Sequence, residues 1–424
     1  MFFRVLYCES YLTLQCNSSN FMLGATVSKS DYKSIQLKII NYVLFTFLGY
    51  VCIGLPLAIL PIFITKNLGY SALVAGVVIS LQYATTFVTR GISGNMIDKY
   101  GPKLSVYISM ICFMLNGILL YAVYLLRANP SLSLITLVVV RLITGCGEGF
   151  IGASPIAWAM MIVGQKHTAT VISYNGIASY GALAVGAPLG VLLNEQFGLN
   201  AVSILILLIA VFGFFLATKK EKIVSAKQDN NASHVPFFSV LRKVAPYGIC
   251  LMLAGLGFGT ISNFITLYYD HFHWANAALC LSVFSILFIV GRLFFSNAIN
   301  QHGGIKVALA CLICETVGLF LLAIIHHPYF ALLGASVTGF GFSLVFPALG
   351  VEAVKLFSAE RSGAALAAYG LFIDISLGIT GPLIGGVIEG FGIASMFTFC
   401  TGIVFIGLLL CASLNKKAAK VLAA

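Results

Sequence analysis

The chain has 424 residues, of which 60% are hydrophobic and 9% charged. No water-soluble fold of this length hides so much apolar surface. Apolar runs of about 20 residues, each able to cross ~30 Å of hydrocarbon, recur along it, so it is a polytopic helical membrane protein and not a β-barrel of short alternating strands.

Residues 1–37 are poorly patterned and read as an N-terminal cytoplasmic extension. Arg4 is followed by a mixed polar stretch, which is not the basic start and apolar centre of a signal peptide, and Met22 is an alternative start. Six spans follow at about 39–63, 71–94, 104–126, 131–160, 171–193 and 198–217, forming a first bundle over 38–217. A polar linker occupies 218–244. A second bundle over 245–414 holds spans at about 245–268, 275–297, 306–326, 328–352, 363–388 and 391–414, before a tail at 415–424. The net charge of +11 does not imply a nucleic-acid partner. Lys and Arg gather at alternate loop ends, where they face anionic lipid, and only Lys66 and Arg127 lie on the other side. That bias puts both termini and the linker in the cytoplasm. The eleven cysteines lie mostly inside apolar runs without a framework spacing and read as packing residues, Cys311 and Cys314 included. No metal or cofactor is expected, and no phosphate-binding loop suggests an ATP-driven pump.

The two halves read as copies. Arg90, Asn95, Ile97, Asp98 and Gly101 match Arg292, Asn297, Ile299, Asn300 and Gly303 at an offset of 202. Thr144, Gly145 and Gly147 match Thr338, Gly339 and Gly341, and Pro188 matches Pro382, at an offset of 194. Repeats with a midplane site between them are a transporter architecture. The loop Gly94-Asn-Met-Ile-Asp98-Lys-Tyr-Gly101-Pro-Lys103 lies between the second and third spans. In it Gly94 offers close helix packing, Gly101 a tight turn, and Pro102 a helix start.

This loop resembles the cytoplasmic loop between helices two and three of the major facilitator superfamily, a large family of secondary transporters. The resemblance covers about 38–414. It implies an all-α membrane protein with twelve transmembrane helices in two pseudo-symmetric six-helix bundles. It also implies a gating role for Gly94, Asp98, Gly101 and Lys103, with Asp98 held at the start of helix eleven near Ser362-Gly363. In the second copy Asn300 replaces the acid and suggests a weaker latch. Arg141 and the glycines near it resemble the family's fourth-helix motif, associated there with proton coupling. Gly381, Pro382, Gly385 and Gly386 resemble its antiporter motif, with a looser version at Gly186–Gly190.

Charges inside hydrocarbon cost at least ~2.5–3.5 kcal/mol each and need partners, water or a function. Arg141 and Glu148 are two helical turns apart and share a face, with Gly145 between them. Both are candidates for proton coupling, an inter-helix salt bridge of structural use being the alternative. Asp374 lies mid-span beside the small-residue stripe Gly378, Gly381 and Gly385, where Gly-Pro can bend a helix and a buried carboxylate can load a proton. It is the first choice of proton site, with a structural pairing to Arg141 or Arg292 as the alternative. Glu315 is expected to pair with Arg292. Polar and aromatic residues on cavity helices are candidates for substrate contact: Gln82, Tyr174, Asn175, Asn263 and Tyr369, with Asn41, Tyr50, Tyr83, Tyr180 and Tyr268 beside them.

The wording around Gly54–Leu57 and Ser343–Ala348 looks like a bacterial inner-membrane, sugar-efflux-like or drug-efflux-like branch. The reading is therefore a monomeric, proton-coupled exporter of a small polar or amphipathic molecule, not an enzyme, working by alternating access. An importer of the same fold, a metallophore or siderophore exporter, and an intramembrane enzyme or non-transporting sensor are the alternatives.

Overall fold

In hydrocarbon each backbone N–H and C=O must find its partner within the segment, so long apolar runs fold as helices. The computed structural model describes residues 29–164, 167–223, 237–295, 297–357 and 362–423. Among them there are no strands, and twelve helices are long and apolar enough to cross a membrane. We label these α1 (Ser34–Asn67), α2 (Ala72–Ile97), α3 (Pro102–Ala128), α4 (Pro130–Val163), α5 (Thr170–Phe197) and α6 (Leu199–Thr218). The second set is α7 (Ser239–His271), α8 (Ala277–Phe295), α9 (Gly304–Ile324), α10 (Pro328–Val354), α11 (Ala368–Phe391) and α12 (Ser395–Lys416). Each expected span falls on one of them. The largest shifts of a helix start are at α1 and α7, whose helices already begin at Lys29 and Phe237; that of α7 carries Pro246 inside it. Questions about residues 1–28, including the choice between Met1 and Met22, lie outside the described residues.

Local chemistry sets the ends. Ser71 and Asn129 accept the backbone N–H groups of Val74 and Leu132, capping α2 and α4. Pro102, Pro130 and Pro328 open their helices, where the missing N–H costs nothing. Gly101 and Gly303 turn the chain at φ 86° and 87°, in the region that favours glycine. Two spans are broken in matching places. The helix of α4 stops at Ile151 and restarts at Ser154; that of α10 stops at Phe342 and restarts at Val345. Pro155 and Pro347 follow four residues after Ile151 and Ser343, where a proline ring clashes with the carbonyl. The helix of α11, by contrast, passes through Pro382 unbroken.

Within the first half α3 packs on α4 and α6, and α2 on α4; within the second, α9 packs on α10 and α12, and α8 on α10. The halves meet along α2 against α11, α5 against α8, and residues Leu60–Ile62 of α1 against α7. The offsets read from sequence recur in these contacts. A Cβ on Gly145 would run into the carbonyl of Gln82, and one on Gly339 into the carbonyl of Phe284. Those two targets are themselves 202 apart. At the next turn the small residue changes sides: Gly149 packs against Thr89, whereas Gly291 packs against Ser343.

Candidate functional site

The seam between the halves is tight on the side away from the linker. Gly76 and Gly381 bring the backbones of α2 and α11 together, so that a Cβ on either would strike the other's carbonyl. Gly385 packs on Ala72 and Leu73, and Gly378 on Tyr83. Thr266 donates to the carbonyl of Ala58 at 2.7 Å, and Lys66 meets Asp270 at 2.7 Å on the surface. Towards the linker side the contacts thin out. At Gly91, Gly94 and Gly370 an added Cβ would meet nothing within 4 Å. Close helix packing, expected at Gly94, is therefore not made among the described residues, because the helix faces open space at that level.

Where the packing thins, two arginines cross the seam. Arg90 on α2 meets Asp374 on α11, with Nη1 to Oδ2 at 2.6 Å and Nη2 to Oδ1 at 3.2 Å. The Asp374 side chain is 8% exposed and that of Arg90 30%. Asp374 thus has a structural partner, but it is Arg90, not Arg141 or Arg292. Tyr50 belongs to the same region: a Cβ on Gly152 would stand 3.7 Å from both its hydroxyl and Nη2 of Arg90. Arg292 on α8 crosses the other edge. It donates to the carbonyl of Gly176 on α5 at 3.3 Å and lies 4.8 Å from the Tyr180 ring and 5.6 Å from the Phe288 ring. Glu315 does not pair with it. Glu315 is fully buried between α9 and its neighbours near Gly257, and neither carboxyl oxygen has a hydrogen-bond partner.

Arg141 and Glu148 both face α2, as their spacing implies. The Arg141 side chain is fully buried and donates to the carbonyl of Ile79 at 3.2 Å; Glu148 accepts from Gln82 Nε2 at 2.7 Å and Thr86 Oγ1 at 2.9 Å. Neither reaches a charged partner within ion-pair distance among the described residues. At the places of the second half that correspond to Gln82 and Glu148 stand Phe284 and Phe342, both packed on Phe258. One frame therefore carries amide and carboxylate in the first bundle and aromatic rings in the second.

A cavity at the seam is lined from the first half by Leu57, Tyr180 and Leu183, and from the second by Phe258, Phe284 and Phe288. Ser262 and Ser285 add hydroxyls to an otherwise aromatic and aliphatic wall. Gln82, Tyr174, Asn175, Asn263 and Tyr369 do not line it, but Tyr180, named beside them from sequence, does. Gln82 serves Glu148; Asn175 accepts from Thr46 at 2.6 Å; Asn263 donates to its own helix at Gly259; Tyr369, fully buried, donates to the carbonyl of Phe346. Tyr174 is half-buried on α5. The cavity's phenylalanines were missed because an apolar wall has no sequence signature that separates it from core. Tyr180 and the match between Arg90 and Arg292 were what pointed to that edge.

In the 94–103 loop, the side chain of Asp98 lies outside the described ones. Lys103 donates to the carbonyls of Thr218 and Lys220, tying the start of α3 to the end of α6, where a cation also suits the helix dipole. Among the described residues no group of His, Cys, Asp and Glu is placed to hold a metal ion.

Residues 42–297 and 247–421 match the family model described as Major Facilitator Superfamily. An uncharacterised MFS-type transporter of Pseudomonas aeruginosa (strain UCBPP-PA14) is 47% identical over 388 residues, 92% of this chain and 96% of that protein. Another from Burkholderia pseudomallei (strain 1106a) is 45% identical over 361 residues, 85% of this chain and 88% of its own. In fold the chain is similar to a mutant of the nucleoside transporter NupG, with TM-score 0.72 and 15% identity over 89% of this chain and 99% of that one. It is also similar to the human organic anion transporter MFSD10, with TM-score 0.62 and 14% identity over 89% and 99%.

Proposed function

The chain belongs to the Major Facilitator Superfamily and is a secondary transporter, and from that premise we propose that it exports a small amphipathic molecule in exchange for protons. The observation that carries this reading is the Arg90–Asp374 pair, which spans the seam. A proton on Asp374 removes one of the two charges and with it most of the attraction. Proton binding therefore favours the arrangement in which α2 and α11 have parted at this level, and proton release favours the one described above. The proton binds Asp374 from outside in the parted arrangement and is released to the cytoplasm as the pair re-forms, and substrate bound from the cytoplasm is carried the other way. Arg141 and Glu148 act as positioning residues: they hold α2 to α4, so that Arg90 moves with the whole first bundle.

The 94–103 loop serves as the latch of the opposite arrangement, with Asp98 held at the amide groups that begin the α11 helix. Asp98→Ala then shifts the molecule towards the arrangement seen here, and unchanged cysteine accessibility along α2 would count against the latch. The bacterial relatives support a place in the bacterial inner membrane, and the Lys and Arg bias supports cytoplasmic termini. The protein works as a monomer, with the bilayer, substrate and protons as its partners.

The decisive experiment uses oriented vesicles holding the purified protein, with a substrate found by ligand-induced thermal shift. An imposed pH gradient drives accumulation by the wild type. Asp374→Asn keeps counterflow exchange but loses the gradient-driven part. Normal pH-driven accumulation by that variant rules out Asp374 as the proton site.

A further inference from the structure

The two seam arginines are equivalent by sequence, 202 residues apart, yet their partners differ in kind. Asp374, which neutralises Arg90, corresponds at the offset of 194 to Tyr180. Arg292 therefore meets a phenol ring where its twin meets a carboxylate. Among the described residues no carboxylate pairs with it. Half-buried, it is left within the protein with one carbonyl and two ring faces. A guanidinium inside a membrane protein without a counter-charge is costly, and stacking on rings recovers only part of that cost.

The rings under this guanidinium are also walls of the seam cavity. Tyr180 and Phe288 both line it, and beyond them lie Phe258, Phe284 and Leu57, with the hydroxyls of Ser262 and Ser285 as the polar points. A cation at the edge and a small, mostly aromatic cavity beyond it describe the two ends of one ligand. We propose that the transported molecule is an amphipathic organic anion. Its acidic group completes the pair with Arg292, and its planar apolar body lies between the rings of α7, α8 and α5. This rests on the exporter reading above for the identity of the cavity as the transport site. It goes further in assigning the substrate's charge, its shape and the residue that selects it. The anion supplies from outside what Asp374 supplies from within on the other edge.

The test is binding, measured by titration calorimetry at pH 7 on the purified full-length protein in detergent with three probes. They are 2-naphthoate, its neutral relative 2-naphthalenemethanol, and acetate, which has the charge without the body. Wild type is expected to bind naphthoate at least tenfold more tightly than the alcohol, and acetate without measurable heat. Arg292→Gln should bring naphthoate and the alcohol within twofold of each other. Phe284→Ala keeps the guanidinium and should weaken both aromatic probes at least threefold while preserving their ratio; it decides the matter if Arg292→Gln fails to fold. Loss of proton coupling is read separately, as the pH-driven part of accumulation that Asp374→Asn loses. A ratio near one in the wild type, no binding of naphthoate, or an unchanged ratio in Arg292→Gln overturns the proposal.

Discussion

Taking the Arg90–Asp374 pair apart one partner at a time is the sharpest test of what holds the seam. The contacts of 2.6 and 3.2 Å put the charges about 3 Å apart, a gross attraction of ~5–6 kcal/mol at an effective dielectric of about 20. Arg90 keeps 30% of its side chain exposed, so screening and desolvation remove more than half. A net contribution of about 2 kcal/mol corresponds to about 30-fold in the balance between conformations. Ser80 is a suitable reporter. It packs against Gly381 on the closed side, and its hydroxyl has no hydrogen-bond partner, so Ser80→Cys sacrifices no bond. In a background freed of the native cysteines, a membrane-impermeant maleimide labels this position only when the closed side opens. Asp374→Asn and Arg90→Gln should each raise the labelling rate at least tenfold, and the double variant should go no further than either single one. Rates unchanged in the single variants, or effects that multiply in the double, would refute the tie.

Three further outcomes follow from the packing. Gly381→Leu drives a side chain into the Gly76 carbonyl and should lower stability by about 1–3 kcal/mol in thermal unfolding; an unchanged midpoint would mean that the two backbones are not in contact. Glu315→Met removes a fully buried carboxyl with no hydrogen-bond partner and should raise the midpoint, since an unmet buried polar group costs ~1–3 kcal/mol; a fall would reveal a partner for it. Glu148→Ala strands the amide donor of Gln82, while Thr86 keeps the carbonyls of Gln82 and Gly145, and should cost ~1–3 kcal/mol, whereas Glu148→Gln keeps an acceptor and should cost under ~1 kcal/mol; equal losses would show that charge, not hydrogen bonding, is what α2 requires.

The fold was legible because hydropathy and backbone satisfaction leave a membrane chain few choices. The twelve spans were found that way, and the internal offsets were visible in glycines and prolines whose positions are fixed by contact and turn geometry. Side-chain partners were harder. Asp374 stood out as a buried charge, but Arg141, Arg292 and Arg90 are all basic residues in spans, and only the crossing of α2 with α11 selects Arg90. Glu315 and Arg292 sit on adjacent helices in sequence order, yet one turns into its own bundle and the other across the seam. Of the residues chosen for a polar cavity, Gln82, Asn175, Asn263, Tyr268 and Tyr369 serve hydrogen bonds within the bundles, and Tyr180 alone of the ten lines the cavity described. The cavity itself is walled by phenylalanines that look like core until both halves are in place.

The unlike chemistry of the two edges has a mechanical consequence. One edge is fastened by opposite charges and the other by a cation on ring faces, and among the described residues a carboxylate pairs with the arginine of the first edge alone. Acidification then loosens one margin while the other stays engaged as a pivot. The bundles turn about the α5–α8 margin and do not spread evenly. Spin labels on α2 and α11 should separate on lowering the pH by clearly more than a matched pair on α5 and α8.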